Sequence, residues 1–404
     1  MSDLTASMDM VPITPKVQQY EWGDIAFIPS LLGRDPDGKP KAELWFGTHP
    51  NGEATLSDGE PLGDFLTDHA QQFFSDEHVE RFGKDLPFLL KVLAIAKPLS
   101  LQVHPSSEQA QKGYAAEIPS HVDTPRDQWN YKDDRQKAEV LYALTPVTAM
   151  CGFLPLANII RNMEALIPNH VQLFFPPEAK EKEEAAAIER FFTLLYTMEK
   201  GQLISLLEEY RNNLPSIRDE ACEGWLSPNQ IALDCLETYP GDPGVLAPFF
   251  LNVVHMKPGE AIFLEPRTLH AYVKGNGIEL MTNSDNVLRG GLTNKLVNVP
   301  ELLKTLTFKA HPADLCPQLR DASGRLNVLA PTGDFLLGVH DDGQYDITGR
   351  NSVELLFCTE GKVDIVADTG KLSLKGGECA VVATHLSSYH LDVQGTLFSA
   401  SVPG

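Results

Sequence analysis

Apolar and polar positions divide the 404-residue chain into regions of different period. Up to about residue 151 the apolar runs are short and broken by Gly, Pro and Asp, as in "DIAFIPSLLGRDPDGKPKAELWFGTHPNGEATLSDGEPLG". Such punctuation predicts short strands and turns. Between 152 and 250 the period lengthens. Ile188, Phe191, Phe192 and Leu195 share one helical face, and Leu203, Leu206, Leu207 and Tyr210 share another, with the acidic residues left to solvated faces. Two prolines precede the first of these helices, and Gly201 is expected to separate the pair. From 251, "PGEAIFLEPRTLHAYVKGNGIEL" returns to strands and turns, a meander of the kind found in double-sheet barrels. Further β-rich runs with Gly and Asp turns continue to the end.

These shifts predict a mainly β protein with an inserted helical domain. The first β part spans 1–151, the helices 152–250, a second β part 251–320, and a C-terminal β-sandwich 321–404. One helix has a sharp start: Ser106 and Gln109 have the spacing of a capping box, which would fix how the chain leaves the preceding "LQVHP".

Composition narrows the classes of function. A formal net charge of −22 opposes binding to nucleic acid or to an anionic membrane surface, because both would be repelled. A small anionic substrate would need a local cationic pocket. The start of the chain has neither the positive flank nor the apolar core of a secretory signal, and no apolar stretch reaches membrane-spanning length. The six cysteines stand singly, without a CxxC pair, and read as buried thiols. A cytoplasmic protein, monomeric, with no nucleic-acid or membrane partner, is the expectation. No GxxxxGK[ST] loop is present to support nucleotide hydrolysis.

In "LQVHP", Gln102 and His104 are two apart, so on a strand they point to one side. Glu139, in "KAEVLYALTP", and His270, in "PRTLHAYVKG", add a carboxylate and a second imidazole. The four together form a donor set suited to Zn²⁺, with room for water or substrate. Only one of the four is anionic, so a divalent ion there keeps net positive charge. Each residue also has a plain reading: His270 as a strand-end histidine bonded to backbone, and Glu139 as the ion-pair partner of Lys137.

The residues carry a family resemblance as well. "YEWGD", "KAELWFGTHPNG", "LPFLLKVLAIAKPLSLQVHP", "KAEVLYALTP", "PGEAIFLEPRTLHAYVKGNGIELMTNSDNVLRGGLTNK" and, more faintly, "LAPTGDFLLGV" resemble the type I phosphomannose isomerases, in that family's order and over most of the chain. The resemblance implies cupin-like double-sheet β-barrels with an inserted helical domain, one zinc ion per chain, and the interconversion of mannose 6-phosphate and fructose 6-phosphate through a cis-enediol. It implies that Gln102, His104, Glu139 and His270 are the zinc ligands. It further implies catalytic roles for Arg289, Glu279 and Lys295, with Glu279 handling the proton, and substrate binding by Ser100, Lys91 and Lys137. Trp22 and Trp45 fall in matched motifs but are read as packing residues, with His49 supporting Trp45 through its ring hydrogen bonds.

The match departs locally. "RQKAE" stands where the family commonly has "NHKPE", keeping Lys137 and Glu139, and Thr268 and Leu269 precede His270 in place of an acidic residue and proline. Two other readings stay open from the residues: an iron-dependent cupin oxygenase, which oxygen uptake would reveal, and a sugar-phosphate binder without turnover.

Overall fold

The computed structural model of the chain describes residues 8–176, 183–216 and 224–403. Their strands form two antiparallel sheets with helices packed against the first. The ten-stranded sheet is organised around one long strand, His270–Thr282. Its first residues pair with Leu101–Val103 and Val147–Phe153, and its later ones with Phe88–Ile95 and Glu139–Ala143. "FLLKVLAI" at Phe88–Ile95 is buried along its whole length. Its apolar side chains therefore remain out of water on both faces, and Lys91 is its one charged residue.

The nine-stranded sheet centres on Glu354–Ala367 and Ser388–Ser401, paired over most of their lengths. Met10–Ile13 joins this sheet at its edge, beside Cys379–Val382. The start of the chain thus ties the C-terminal sheet to the rest, which the segment boundaries drawn on periodicity did not anticipate. Between the sheets lies a shared core, in which the rings of Phe46 and Phe357 sit 4.5 Å apart.

Glu184–Thr197 buries Ala187, Ile188, Phe191, Phe192 and Leu195, and Lys200–Asn213 buries Leu206, Leu207 and Tyr210. Gly201 does not separate these helices. The break comes earlier, where Met198 and Glu199 turn extended, and Gly201 is already in the second helix. Pro177, one of the two prolines expected before the first helix, lies outside the described residues. The helices share a core with Leu101, Val103 and Phe153. That packing holds the short strand Leu101–Val103 from behind. The capping box forms as expected: Gln109 N donates to Ser106 Oγ at 3.4 Å and Ser106 N to Gln109 Oε1 at 3.2 Å.

Candidate metal centre and active-site cavity

Leu101 and Val103 point into the helical core, so Gln102 must face the other way. Antiparallel register sets Gln102 opposite His270 on one side and opposite Arg289, of strand Leu288–Gly291, on the other. Residues directly opposite one another share a face of the sheet. Glu139, the first residue of its strand, lies opposite Met281 near the far end of the long strand.

His270 and Glu279 are nine positions apart, which on a regular strand would place them on opposite faces. Both nevertheless line one cavity of about 750 Å³. The register shifts between Tyr272 and Lys274, where one extra residue enters the strand. Such a bulge reverses the alternation. Gly275 follows it with φ +116°, and a Cβ there would come within 2.5 Å of the Pro146 carbonyl oxygen. Glycine is the residue that this bend and this close approach allow.

His104, Glu139 and His270 bring one donor atom each within 4.8 Å of one another. Glu139 Oε2 is 3.3 Å from His104 Nε2 and 3.5 Å from His270 Nε2. The other nitrogen of each ring is committed to backbone: His104 Nδ1 lies 2.8 Å from the Asn286 carbonyl oxygen, and His270 Nδ1 2.9 Å from that of Thr268. As donors to those carbonyls, the Nδ1 atoms carry the protons and leave both Nε2 lone pairs facing the carboxylate. His104 Nε2 is buried without an aligned hydrogen-bond partner. Burial, with Lys137 adding to it, holds the His104 pKa well below its usual value, and burial pushes that of His270 down to about 4. Two neutral imidazoles and a carboxylate, with the Gln102 amide on the same face, fit a zinc ion. The two plain readings also describe real contacts, since His270 does bond to backbone and Lys137 Nζ does contact Glu139 Oε1.

Beside this cluster, Lys91 faces Glu279 in register, with Nζ 3.1 Å from Glu279 Oε2 and 3.9 Å from Glu43 Oε2. Burial alone would push the Lys91 pKa down, but the two carboxylates outweigh it and the net shift is upward. Glu43 also accepts from the Trp45 indole, whose ring stands 5.0 Å from Lys91 Nζ. His49 packs edge-on against Trp45, as expected, but its hydrogen bonds go elsewhere: Nδ1 accepts from Asn51 N, and Nε2 lies 3.1 Å from Asp285 Oδ1. Lys137 is pushed down to about 8 by burial and then by Lys91.

Gln102, Glu139, His270, Glu279, Lys91, Lys137, Ser100, Arg289 and Lys295 all line the cavity, and His104 sits in the wall behind them. At that size it falls within the range of small-molecule sites. Three contributors were not singled out from sequence. Glu43 precedes the matched Trp45 by two positions and so shares its face. Lys132 lies in an irregular segment with no periodic signal. Asn286, fully buried, donates Nδ2 to the carbonyls of Asp133 at 2.8 Å and Arg135 at 2.7 Å, while its backbone carbonyl orients His104.

The chain is similar to known proteins over nearly its whole length. A family model described as "Phosphomannose isomerase type I, catalytic domain" matches residues 10–156. The chain is 33% identical over 398 residues to the mannose-6-phosphate isomerase of Escherichia coli (strain K12), covering 96% of this chain and 98% of that one. Its identity to the Bos taurus mannose-6-phosphate isomerase is 31% over 425 residues, covering 96% and 97%. A crystal structure of mannose 6-phosphate isomerase bound with zinc and yttrium matches with a TM-score of 0.87 at 33% identity, covering 98% of this chain and 100% of that one. The apo form from Salmonella typhimurium matches with the same TM-score at 32% identity, covering 98% and 100%.

Proposed function

The chain belongs to the type I phosphomannose isomerases, and we infer that it interconverts D-mannose 6-phosphate and D-fructose 6-phosphate with one zinc ion per chain. The convergence of His104, Glu139 and His270 on one point of a cavity that also holds Glu279 carries the reading. Gln102 completes the ligand set from the same sheet face. We also read the two sheets as cupin-like double-sheet barrels with the helices of 152–250 inserted, and the enzyme as a cytoplasmic monomer. Its buried free thiols Cys151, Cys235, Cys358 and Cys379 accord with a reducing compartment.

Aldose and ketose differ by a hydrogen between C1 and C2, and proton abstraction to a cis-enediol is the least demanding route. When bound, zinc supplies positive charge near the sugar oxygens on which negative charge develops. Glu279 is the proton carrier of this account. It is an acceptor held at one fixed place by Lys91, and its cavity wall is shared with His270. The Lys91 ammonium, kept charged by Glu279 and Glu43, steadies that carboxylate without neutralising it. Lys137 fixes Glu139, and Arg289, across Gln102 from His270, together with Lys295 at the cavity rim, presents positive charge to the enediolate and to the phosphate.

The test is conversion of mannose 6-phosphate to fructose 6-phosphate by the zinc-loaded protein, followed alongside oxygen uptake. Product formation without oxygen consumption is expected. A folded, zinc-loaded protein that binds the sugar phosphate without converting it would overturn the reading.

A further inference from the structure

We propose that Lys132 binds the phosphate of the substrate, forming with Arg289 the cationic pair that receives it. The proposal rests on the isomerase reading above and adds a residue to it. Buried ammonium groups in the cavity are already committed: Lys91 to Glu279 and Glu43, and Lys137 to Glu139. Arg126 is paired with Asp285 at 3.1 Å. Lys97 and Lys295 are exposed at the rim. Arg289 and Lys132 differ from the rim lysines in being half-buried, and from the paired cations because, among the described residues, no carboxylate lies within ion-pair distance of either.

Two cations lining one cavity without a carboxylate at ion-pair distance, Asp285 and Glu117 acting on Lys132 only from further off, are a costly arrangement unless an anion completes it. The cost is visible in Lys132: burial, then Arg289, lowers its pKa to about 8 against the opposing pull of Asp285 and Glu117. A phosphate dianion between them reverses the repulsion and accepts charge-assisted hydrogen bonds from both. The Lys132 backbone is held for this task. Its N–H donates to Asn286 Oδ1 at 2.7 Å, and the same Asn286 orients the metal ligand His104 through its carbonyl. One buried residue therefore fixes the metal cluster and the phosphate arm in a common frame. The Lys132 ammonium itself donates to the Trp129 carbonyl, which leaves further N–H donors for a ligand.

The test compares zinc-loaded wild type, Lys132→Ala and Lys132→Arg. Inorganic phosphate affinity is measured by calorimetry, and kcat and KM for mannose 6-phosphate by turnover. Lys132→Ala should weaken phosphate binding and raise KM by about tenfold each, with kcat changed far less, because the lost contact is made equally in ground and transition states. Lys132→Arg should recover most of both. Phosphate affinity unchanged in Lys132→Ala, or an arginine variant as impaired as the alanine one, would overturn the proposal in favour of a loop-packing role. Absence of turnover in wild type would instead overturn the isomerase reading, and it is distinguishable because phosphate binding is measured without turnover.

Discussion

His270 and Glu279 stand nine positions apart on one strand and face the same cavity, because a bulge between Tyr272 and Lys274 reverses the alternation between them. The placement of His270 and Glu279 in one cavity depends on that single extra residue. Gly275→Ala should therefore act on both. With φ +116° and a Cβ only 2.5 Å from the Pro146 carbonyl oxygen, the substitution is expected to cost on the order of 1–3 kcal/mol of stability. Activity should fall further than stability, since the strand on either side must shift. Denaturant midpoint and turnover, measured on the same sample, check this.

Glu279 should be separable from the metal. Glu279→Gln keeps the volume and removes the base, so kcat is expected to drop by about 10²- to 10⁴-fold while bound zinc stays at the wild-type level. Metal analysis beside the rate measurement distinguishes this from simple loss of the site. An equal loss of zinc and rate would assign Glu279 to holding the centre together.

Asn286 links His104, of the candidate metal cluster, to the segment that carries Lys132. Asn286→Ala removes a fully buried amide that bonds the carbonyls of Asp133 and Arg135 and the Lys132 N–H, at a cost of about 1–3 kcal/mol. KM for the phosphosugar should rise as the segment loosens. The unfolding midpoint and KM are the two readouts.

Far from the cavity, His340 predicts a pH dependence of stability. It is fully buried, both ring nitrogens lack hydrogen-bond partners, and burial holds its pKa at about 4 against an ordinary 6.5. Between those values the unfolded chain binds the proton and the folded chain does not, so stability falls as pH drops through 6.5 and levels off below about 4. From pH 7 to pH 5 the loss is about 2 kcal/mol. His340→Leu should lack this component, and unfolding curves of both proteins at the two pH values give the difference.

Much of this site was legible because it lies on regular strands. The two-residue spacing of Gln102 and His104 already placed them on one face, and the capping box after them marked where the strand ends. The bulge was hidden because "KGNG" reads as a turn between two strands of a meander; the chain instead runs through it as one continuous strand, His270–Thr282, and only the pairing with Val147–Phe153 reveals the extra residue. Lys91 and Lys137 matched positions near the substrate; the Lys137–Glu139 pair was legible from their spacing, but nothing in the spacing showed that Glu279 and Glu43 occupy the charge of Lys91. Lys132 and Asn286 sit in irregular segments, where no period reports which way a side chain points.

Zinc dependence tests the account most directly. The protein is stripped with a chelator, zinc is added back in measured increments, and mannose 6-phosphate turnover is followed at each step. The account predicts that turnover disappears on stripping and returns in proportion to zinc, reaching its plateau at one ion per chain. Full turnover by the metal-free protein would contradict it.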